Sequence, residues 1–243
     1  METLWTTAMA VVWGAGTGLL IPRAAYRLSV APDEPWRSAC PAGHPFAGIA
    51  GGWLGRSRCT DGASYGPSAS LVAAALAVAC AVLAATTGAR PVLLVWLLLA
   101  PVGVLLAIVD SAVRRLPDVL TLPLAAGALV LLGVAALLPE AGGSWTSALL
   151  GSLILGACSF VLFLISKGFG FGDVKLALAL GAVLGWYGWA IVVVGTFAGY
   201  LLGALYGIVL IVTGRGSRKA RIPFGPFLLA GAFAGVLLGS CTR

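Results

Sequence analysis

Long apolar runs separated by short polar segments dominate the chain. Eight such runs cover residues 4–22, 71–87, 92–109, 122–138, 147–166, 174–186, 189–212 and 222–241. Most of them reach or approach the ~18–20 residues that a helix needs to cross a bilayer. The apolar residues are continuous rather than alternating, which is typical of helices and not of a membrane β-barrel. The pattern therefore predicts an all-α, polytopic membrane protein with about eight transmembrane helices. The sixth run is short, about 20 Å if helical.

Composition supports this class and sets an orientation. The chain is 60% hydrophobic and 9% charged, whereas soluble proteins carry roughly 25% charged residues. If the N-terminus lies outside, 13 of the 15 Lys and Arg residues face the cytoplasm, all except Arg90 and Arg243. Cytoplasmic loops are enriched in basic residues, so the net charge of +7 indicates membrane topology and predicts no nucleic-acid partner. The lipid bilayer is the expected environment.

We predict three regions along the chain. Residues 1–22 form the first transmembrane helix, which lacks a basic n-region and is expected to be retained rather than cleaved as a signal peptide. Residues 23–68 are polar and form a small cytoplasmic loop region. Residues 69–243 form a multi-helix membrane domain.

Three of the eight acidic residues fall at the cytoplasmic ends of predicted spans. These are Asp110, Asp118 and Asp173, and we interpret the other five as solvated surface charges. An ionisable residue at membrane depth is a functional hypothesis by default. Two carboxylates close together share one proton, so one can activate water while the other polarises a carbonyl, as in aspartic proteases. Asp118 has an alternative role as N-cap of the fourth span or as partner of Arg114 or Arg115.

The glycine-rich segment from Lys167 to Lys175 joins the fifth and sixth runs. Glycine permits a tight loop and close backbone approach, so the segment would deliver Asp173 to the start of the next helix. The alternative is an ordinary turn in which Asp173 is a helix N-cap.

Three motifs in order give the chain a family resemblance. They are Gly170-Phe171-Gly172-Asp173-Val174-Lys175, the segment from Asp110 to Pro117-Asp118, and Ile222-Pro223-Phe224-Gly225-Pro226. Together they resemble the GxGDxK, D-x6-P-D and IPFGP motifs of the type IV prepilin peptidases, which are membrane aspartyl proteases. The resemblance implies Asp110 and Asp173 as catalytic residues. It implies supporting roles for Gly170, Gly172, Lys175, Pro117, Asp118, Pro223 and Gly225.

The same resemblance implies a substrate and a place. The enzyme would remove the leader peptide from type IV prepilins or pseudopilins of a pilus or secretion system, using water as the nucleophile and no cofactor. The leader is short and basic, and the cut follows its final glycine. The expected location is the cytoplasmic face of the bacterial inner membrane, in which the protein would be multi-pass.

The loop region departs from the family pattern. Bifunctional members carry two Cys-x-x-Cys pairs there, thought to hold zinc in the part that N-methylates the new N-terminus. This chain has only Cys40 and Cys59, and the positions three residues away hold no zinc ligand. His44 leaves open a site of two thiolates and one imidazole, but structural zinc almost always takes four ligands. We therefore predict no metal, and methyltransferase activity is in doubt.

Other functions remain alternatives. Membrane carboxylates and broken helices also mark proton-coupled small-molecule transporters, although this chain shows no repeat between halves and no acid near mid-membrane. A non-catalytic pilus or secretion assembly subunit would not need both acids. Presenilin-like proteases share Gly-x-Gly-Asp but carry a late Pro-Ala-Leu motif, which this chain lacks.

Overall fold

The computed structural model describes residues 2–31, 34–166, 169–214 and 222–242, the side chain of Glu2 excepted. Within these ranges the named elements are nine α-helices and two isolated β-bridges. The helices are α1 (Glu2–Leu28), α2 (Ile49–Gly52), α3 (Ala69–Thr87), α4 (Val92–Val113), α5 (Asp118–Ala136), α6 (Trp145–Ile165), α7 (Phe171–Gly185), α8 (Trp189–Val212) and α9 (Gly225–Cys241). The all-α prediction is confirmed.

Six helices are long and apolar enough to cross a membrane, namely α1, α3, α4, α5, α6 and α8. With 15 and 17 residues, α7 and α9 are shorter. The prediction of a polytopic membrane protein is therefore confirmed. The count of eight spans, the external N-terminus and the three predicted regions stay predictions. Some residues used in the sequence analysis lie outside the described ranges. They are Asp33, which is one of the five acids interpreted as surface charges, Lys167 and Gly168 of the glycine-rich segment, Arg243, and the basic residues of the segment 215–221.

Two helices end later than the hydrophobic pattern predicts. Helix α1 continues past Pro22 to Leu28, because Ala24, Ala25 and Leu28 are buried in the residues that follow the apolar run. Helix α4 continues past Asp110 to Val113. Within it, the Ser111 hydroxyl donates to the Ala107 carbonyl at 2.7 Å, so a polar residue is accommodated without breaking the helix.

The chain divides into two compact units. The first comprises Met1–Ala89 and Trp96–Val113. Its helices α1 and α3 pack through a glycine-mediated contact, since a Cβ at Gly18 would lie 2.6 Å from the Ala73 Cα. Small residues allow such close backbone approach between membrane helices. The polar segment between α1 and α3 belongs to the same unit.

The second unit comprises Arg90–Val95 and Arg114–Arg243. Helix α7 is central to it and packs against α5, α6, α8 and α9. Ten of its 15 residues are buried, which explains why this short helix is apolar on all sides after Lys175. Its contact with α6 again depends on glycine, because a Cβ at Gly181 would lie 2.9 Å from the Ser152 Cα. This packing fixes the position of the α7 N-terminus, where Asp173 lies.

Candidate active site

Asp173 lies in the first turn of α7 and is 9% exposed. Gly170 is the N-cap, in extended conformation, and Asp173 is the third helical residue. The Asp173 carboxylate accepts a hydrogen bond from the Gly170 N–H at 3.1 Å. The alternative in which Asp173 is itself the N-cap is therefore wrong. The carboxylate closes back on the cap residue, and the helix N-terminus favours its negative charge.

Both glycines of the Gly-x-Gly-Asp motif lie in close contacts. A Cβ at Gly170 would lie 3.2 Å from the Asp173 Oδ2, in the space that the carboxylate uses. A Cβ at Gly172 would lie 2.9 Å from the Leu116 Cβ. Gly170 thus leaves room for the acid, and Gly172 lets the start of α7 pack directly on the segment that precedes α5.

That segment contains Pro117 and Asp118. Pro117 is the N-cap of α5, and its carbonyl accepts from the Thr121 N–H at 3.1 Å. Asp118 is the first helical residue, so the alternative in which it is the N-cap of α5 is wrong. Its carboxylate forms an ion pair with the Lys175 Nζ at 2.6 Å. The sequence gives no local signal for this pair, because the two residues are 57 positions apart.

The ion pair ties the first turns of α5 and α7 together. Lys175 is 15% exposed and Asp118 is 63% exposed, so solvent screening keeps the pair's contribution to stability small. The Lys175 ammonium also lies 4.6 Å from the centre of the Phe171 ring, a distance that permits a cation–π contact. Through its contacts with Asp118 and Phe171, Lys175 helps to orient the start of α7 and adds little to the stability of the fold.

The late motif meets the glycine-rich segment through an aromatic cluster. The Phe224 ring lies 6.3 Å from Phe169 and 6.4 Å from Tyr200, and the Phe169 and Tyr200 centroids are also 6.4 Å apart. Phe224 precedes the buried Gly225, at which α9 begins, and Pro223 comes just before it. The cluster places the IPFGP motif beside the chain that leads into Asp173. The sequence carried no signal for it beyond the aromatic residues themselves.

Asp110 belongs to the other unit. It lies in the last turn of α4, three residues before the helix ends, and is 4% exposed. Its helix ends before Arg114, which has a φ of 53°. A carboxylate at a helix C-terminus faces the negative end of the helix dipole. Asp110 and Asp173 therefore lie at helix ends of opposite polarity.

A second group of reactive side chains lies in the segment between α1 and α3. The ligand atoms of Cys40, His44 and Cys59 all lie within 4.8 Å of one another. Burial acts to raise the pKa of the Cys40 thiol, but hydrogen bonds from Cys59, His44 and Ala42 lower it to about 7. The hydrogen bond to Cys40, together with burial, raises the pKa of Cys59. The four-thiolate zinc pattern of bifunctional family members does not fit these residues, whereas a site with three donors does.

Comparison with known proteins identifies the family. Residues 91–208 match the model of the type IV leader peptidase family. The prepilin leader peptidase/N-methyltransferase of Aeromonas salmonicida (strain A449) is 35% identical over 223 residues, covering 85% of this chain and 73% of the relative. The protein of the same name from Aeromonas hydrophila is 37% identical over 225 residues, with the same coverage.

A third relative extends the similarity to nearly the whole chain. The prepilin leader peptidase/N-methyltransferase of Burkholderia pseudomallei (strain 1026b) is 34% identical over an alignment of 271 residues, covering 99% of this chain and 78% of the relative. No solved structure shows a significant match. The resemblance carried by the three motifs is thus confirmed, and the chain belongs to the type IV leader peptidase family.

Proposed function

We propose that this protein is a membrane peptidase that removes the leader peptide from type IV prepilins or pseudopilins, with Asp110 and Asp173 as its catalytic pair. Membership of the leader peptidase family supports the peptidase activity and the class of substrate. The observation that carries the choice of Asp173 is its buried carboxylate, held at a helix N-terminus by the Gly170 N–H. Burial of a second acid, Asp110, supports the other half of the pair.

The helix ends suggest which acid does what. At the N-terminus of α7 the helix dipole and the Gly170 N–H favour a negative charge on Asp173. In a pair of carboxyl groups that shares one proton, the other member then carries that proton. Asp173 is then the base that takes a proton from water. Asp110 is the acid that donates to the carbonyl oxygen of the scissile peptide.

The reaction balances without a further reactant. The hydroxide equivalent from water forms a bond to the carbonyl carbon, and the water proton passes to Asp173. The tetrahedral intermediate collapses when Asp173 passes its proton to the amine nitrogen, a hydroxyl proton of the intermediate returns to Asp110, and the C–N bond breaks. The products are a leader with a free carboxylate and a pilin with a free α-amine. Buried carboxyl groups suit such proton transfers, because neighbouring charges and dipoles act more strongly on them in a low-dielectric environment than in water.

The length of α7 supports access for a helical substrate. Its 15 residues span about 22 Å, less than the ~30 Å hydrocarbon core. A shorter helix leaves space at one membrane face, where the apolar helix of a pilin could unwind next to the carboxylates. We place this face on the cytoplasmic side of the bacterial inner membrane, in agreement with the distribution of basic residues.

Co-expression with a prepilin tests the proposal. The wild-type chain should convert the prepilin to the mature length, as measured by intact mass spectrometry of the pilin. Asp110→Asn and Asp173→Asn should each leave the full-length precursor, because loss of the general acid or base removes about 10²–10⁴-fold of the rate. The matched control is Asp118→Asn, which should retain measurable cleavage. Processing at the wild-type level by either of the first two variants would refute the catalytic pair.

A further inference from the structure

The two loop cysteines begin two matching tight turns, at residues 40–44 and 59–63. In the first, the Gly43 N–H donates to the Cys40 carbonyl at 2.9 Å, and the Cys40 N–H donates to the carbonyl four residues later at 2.9 Å. In the second, the corresponding distances from Gly62 and Cys59 are 3.1 and 2.8 Å. A β-bridge closes each turn. The segment therefore contains one cysteine-bearing turn twice.

Glycine stands three residues after each cysteine for a conformational reason. Gly43 and Gly62 have φ angles of 83° and 87°, in the left-handed region that glycine adopts at little cost. A second cysteine at these positions would be strained. Each turn therefore presents one thiol. Its backbone conformation favours glycine at the position where the Cys-x-x-Cys pattern has a second cysteine.

His44 completes the set of donors. Its Nδ1 lies 3.6 Å from the Cys40 Sγ. For bond lengths of about 2.3 Å to sulfur and about 2.0–2.1 Å to nitrogen, a tetrahedral zinc ion separates these two ligand atoms by about 3.6 Å. The three ligand atoms lie within 4.8 Å of one another, so an ion fits with small side-chain movements. Two thiolates also neutralise the charge of one divalent ion.

Aromatic packing holds both turns in place. Phe46 follows the first turn and Tyr65 follows the second, and their rings lie 5.9 Å apart. Both contact Tyr26 of α1, at 6.3 and 4.7 Å between centroids. The Arg37 guanidinium donates to the Tyr26 carbonyl at 2.6 Å. Because packing orders the turns, the donors are positioned without needing the ion to fold the segment.

The three donors differ in exposure. Cys40 is buried, Cys59 is half-buried and His44 is exposed, so the cluster opens to solvent on the side of the imidazole. The nearby carboxylate of Asp61 accepts from the Ala63 N–H at 3.1 Å within its own turn. Among the described residues the metal-ligating cluster contains only the two cysteines and His44. A water molecule is the natural fourth ligand in such an arrangement.

We propose that Cys40, His44 and Cys59 bind one zinc ion whose fourth coordination position is open to water. The number of ligands in the sequence favours no metal, whereas the short distances between the three donors favour a bound ion. The site differs from a closed four-thiolate site in two measurable respects: it loses its metal readily to chelators, and it accepts an added ligand. The inference is independent of the proposed peptidase activity.

Metal analysis of the full chain tests the proposal. The protein is purified in detergent under reducing conditions with a tag that contains no histidine, and its zinc content is measured by mass spectrometry. We expect one zinc per chain, and a Co²⁺-loaded sample should show the visible absorption of a tetrahedral thiolate complex. Cys40→Ser, Cys59→Ser and His44→Ala should each weaken metal binding by more than about tenfold. The matched control Cys158→Ser removes an exposed thiol elsewhere and should bind as the wild type does.

Further readouts keep the result decisive. Addition of imidazole to the Co²⁺-loaded wild-type chain should shift its spectrum, because the fourth position is open. An unchanged spectrum would show a closed site and would overturn the proposal that the fourth coordination position is open. Absence of zinc and Co²⁺ binding in a monodisperse, fully reduced wild-type chain would overturn the site itself, as would metal binding that survives in Cys40→Ser and Cys59→Ser. If a variant is not monodisperse, alkylation of the wild-type thiols replaces it, and should abolish Co²⁺ binding.

Discussion

Substitution of Gly172 by alanine tests how the motif positions its acid. The added Cβ would lie 2.9 Å from the Leu116 Cβ, whereas non-bonded carbons prefer about 3.5–4.0 Å. The start of α7 must therefore move by about 0.6–1 Å, because Leu116 is buried and is followed by a proline. Asp173 is the next residue along α7, and misplacement of a catalytic group by 1 Å can cost about 10²-fold in rate.

We expect Gly172→Ala to lower kcat by about ten- to a hundredfold with little change in KM. Overpacking costs about 1–3 kcal/mol of stability, so thermal unfolding should be measured alongside. The assay is the initial rate of prepilin cleavage by purified protein in detergent. Gly127→Ala in α5 is the matched control, since a Cβ there meets no atom within 4 Å. It should leave kcat unchanged. Equal kcat values for the two folded variants would refute the contact-based reasoning.

Three further predictions concern the acids, the topology and the loop. Asp110→Asn and Asp173→Asn should each abolish cleavage in a protein that still reaches the membrane, whereas Asp118→Asn should retain activity. If Asp118→Asn were as inactive as the other two variants, the assignment of Asp110 as the first catalytic acid would be wrong. A reporter fused after Arg221 should be cytoplasmic and one at Gly142 external, as judged by enzymatic fusions; the reverse at both sites would invert the topology. Cys40→Ser and Cys59→Ser should each remove the metal and leave prepilin cleavage largely intact, and loss of cleavage would link the loop to catalysis. Mass spectrometry should show that the pilin matured by the wild-type chain carries an unmethylated α-amine.

The helices were predictable because their signal is local. Each apolar run of the sequence overlaps a helix of the structure, since a membrane chain must satisfy its backbone hydrogen bonds internally. The ends were less predictable. Helix α1 passes through Pro22 because tertiary burial of the next turn outweighs the tendency of proline to interrupt a helix. Helix α4 passes Asp110 for a similar reason, as that acid is itself buried.

The motifs supply the candidate site residues, but the contacts of those residues could not be predicted from the sequence. The motif placed Asp173 at a helix start, and the structure agrees to within three residues of the cap. The ion pair of Asp118 with Lys175 could not be predicted, because the two residues are distant in sequence and adjacent only in the fold. The distances between Cys40, His44 and Cys59 could not be predicted from a count of ligands, because the fold sets them. The repeated Cys-x-x-Gly spacing at Cys40 and Cys59 was the available signal.

The glycines of the motif show why spacing alone could not reveal these roles. A glycine-rich string before a helix predicts a tight loop and close backbone approach, but it does not say which residues approach. Gly170 and Gly172 have ordinary extended or helical conformations and negative φ. The absence of a side chain leaves space beside the carboxylate of Asp173 at Gly170 and beside Leu116 at Gly172. The second contact joins residues 56 positions apart, so no local pattern encodes it. The motif therefore acts by fixing the acid against a neighbouring segment, and substitutions there should impair the rate of cleavage before they impair folding.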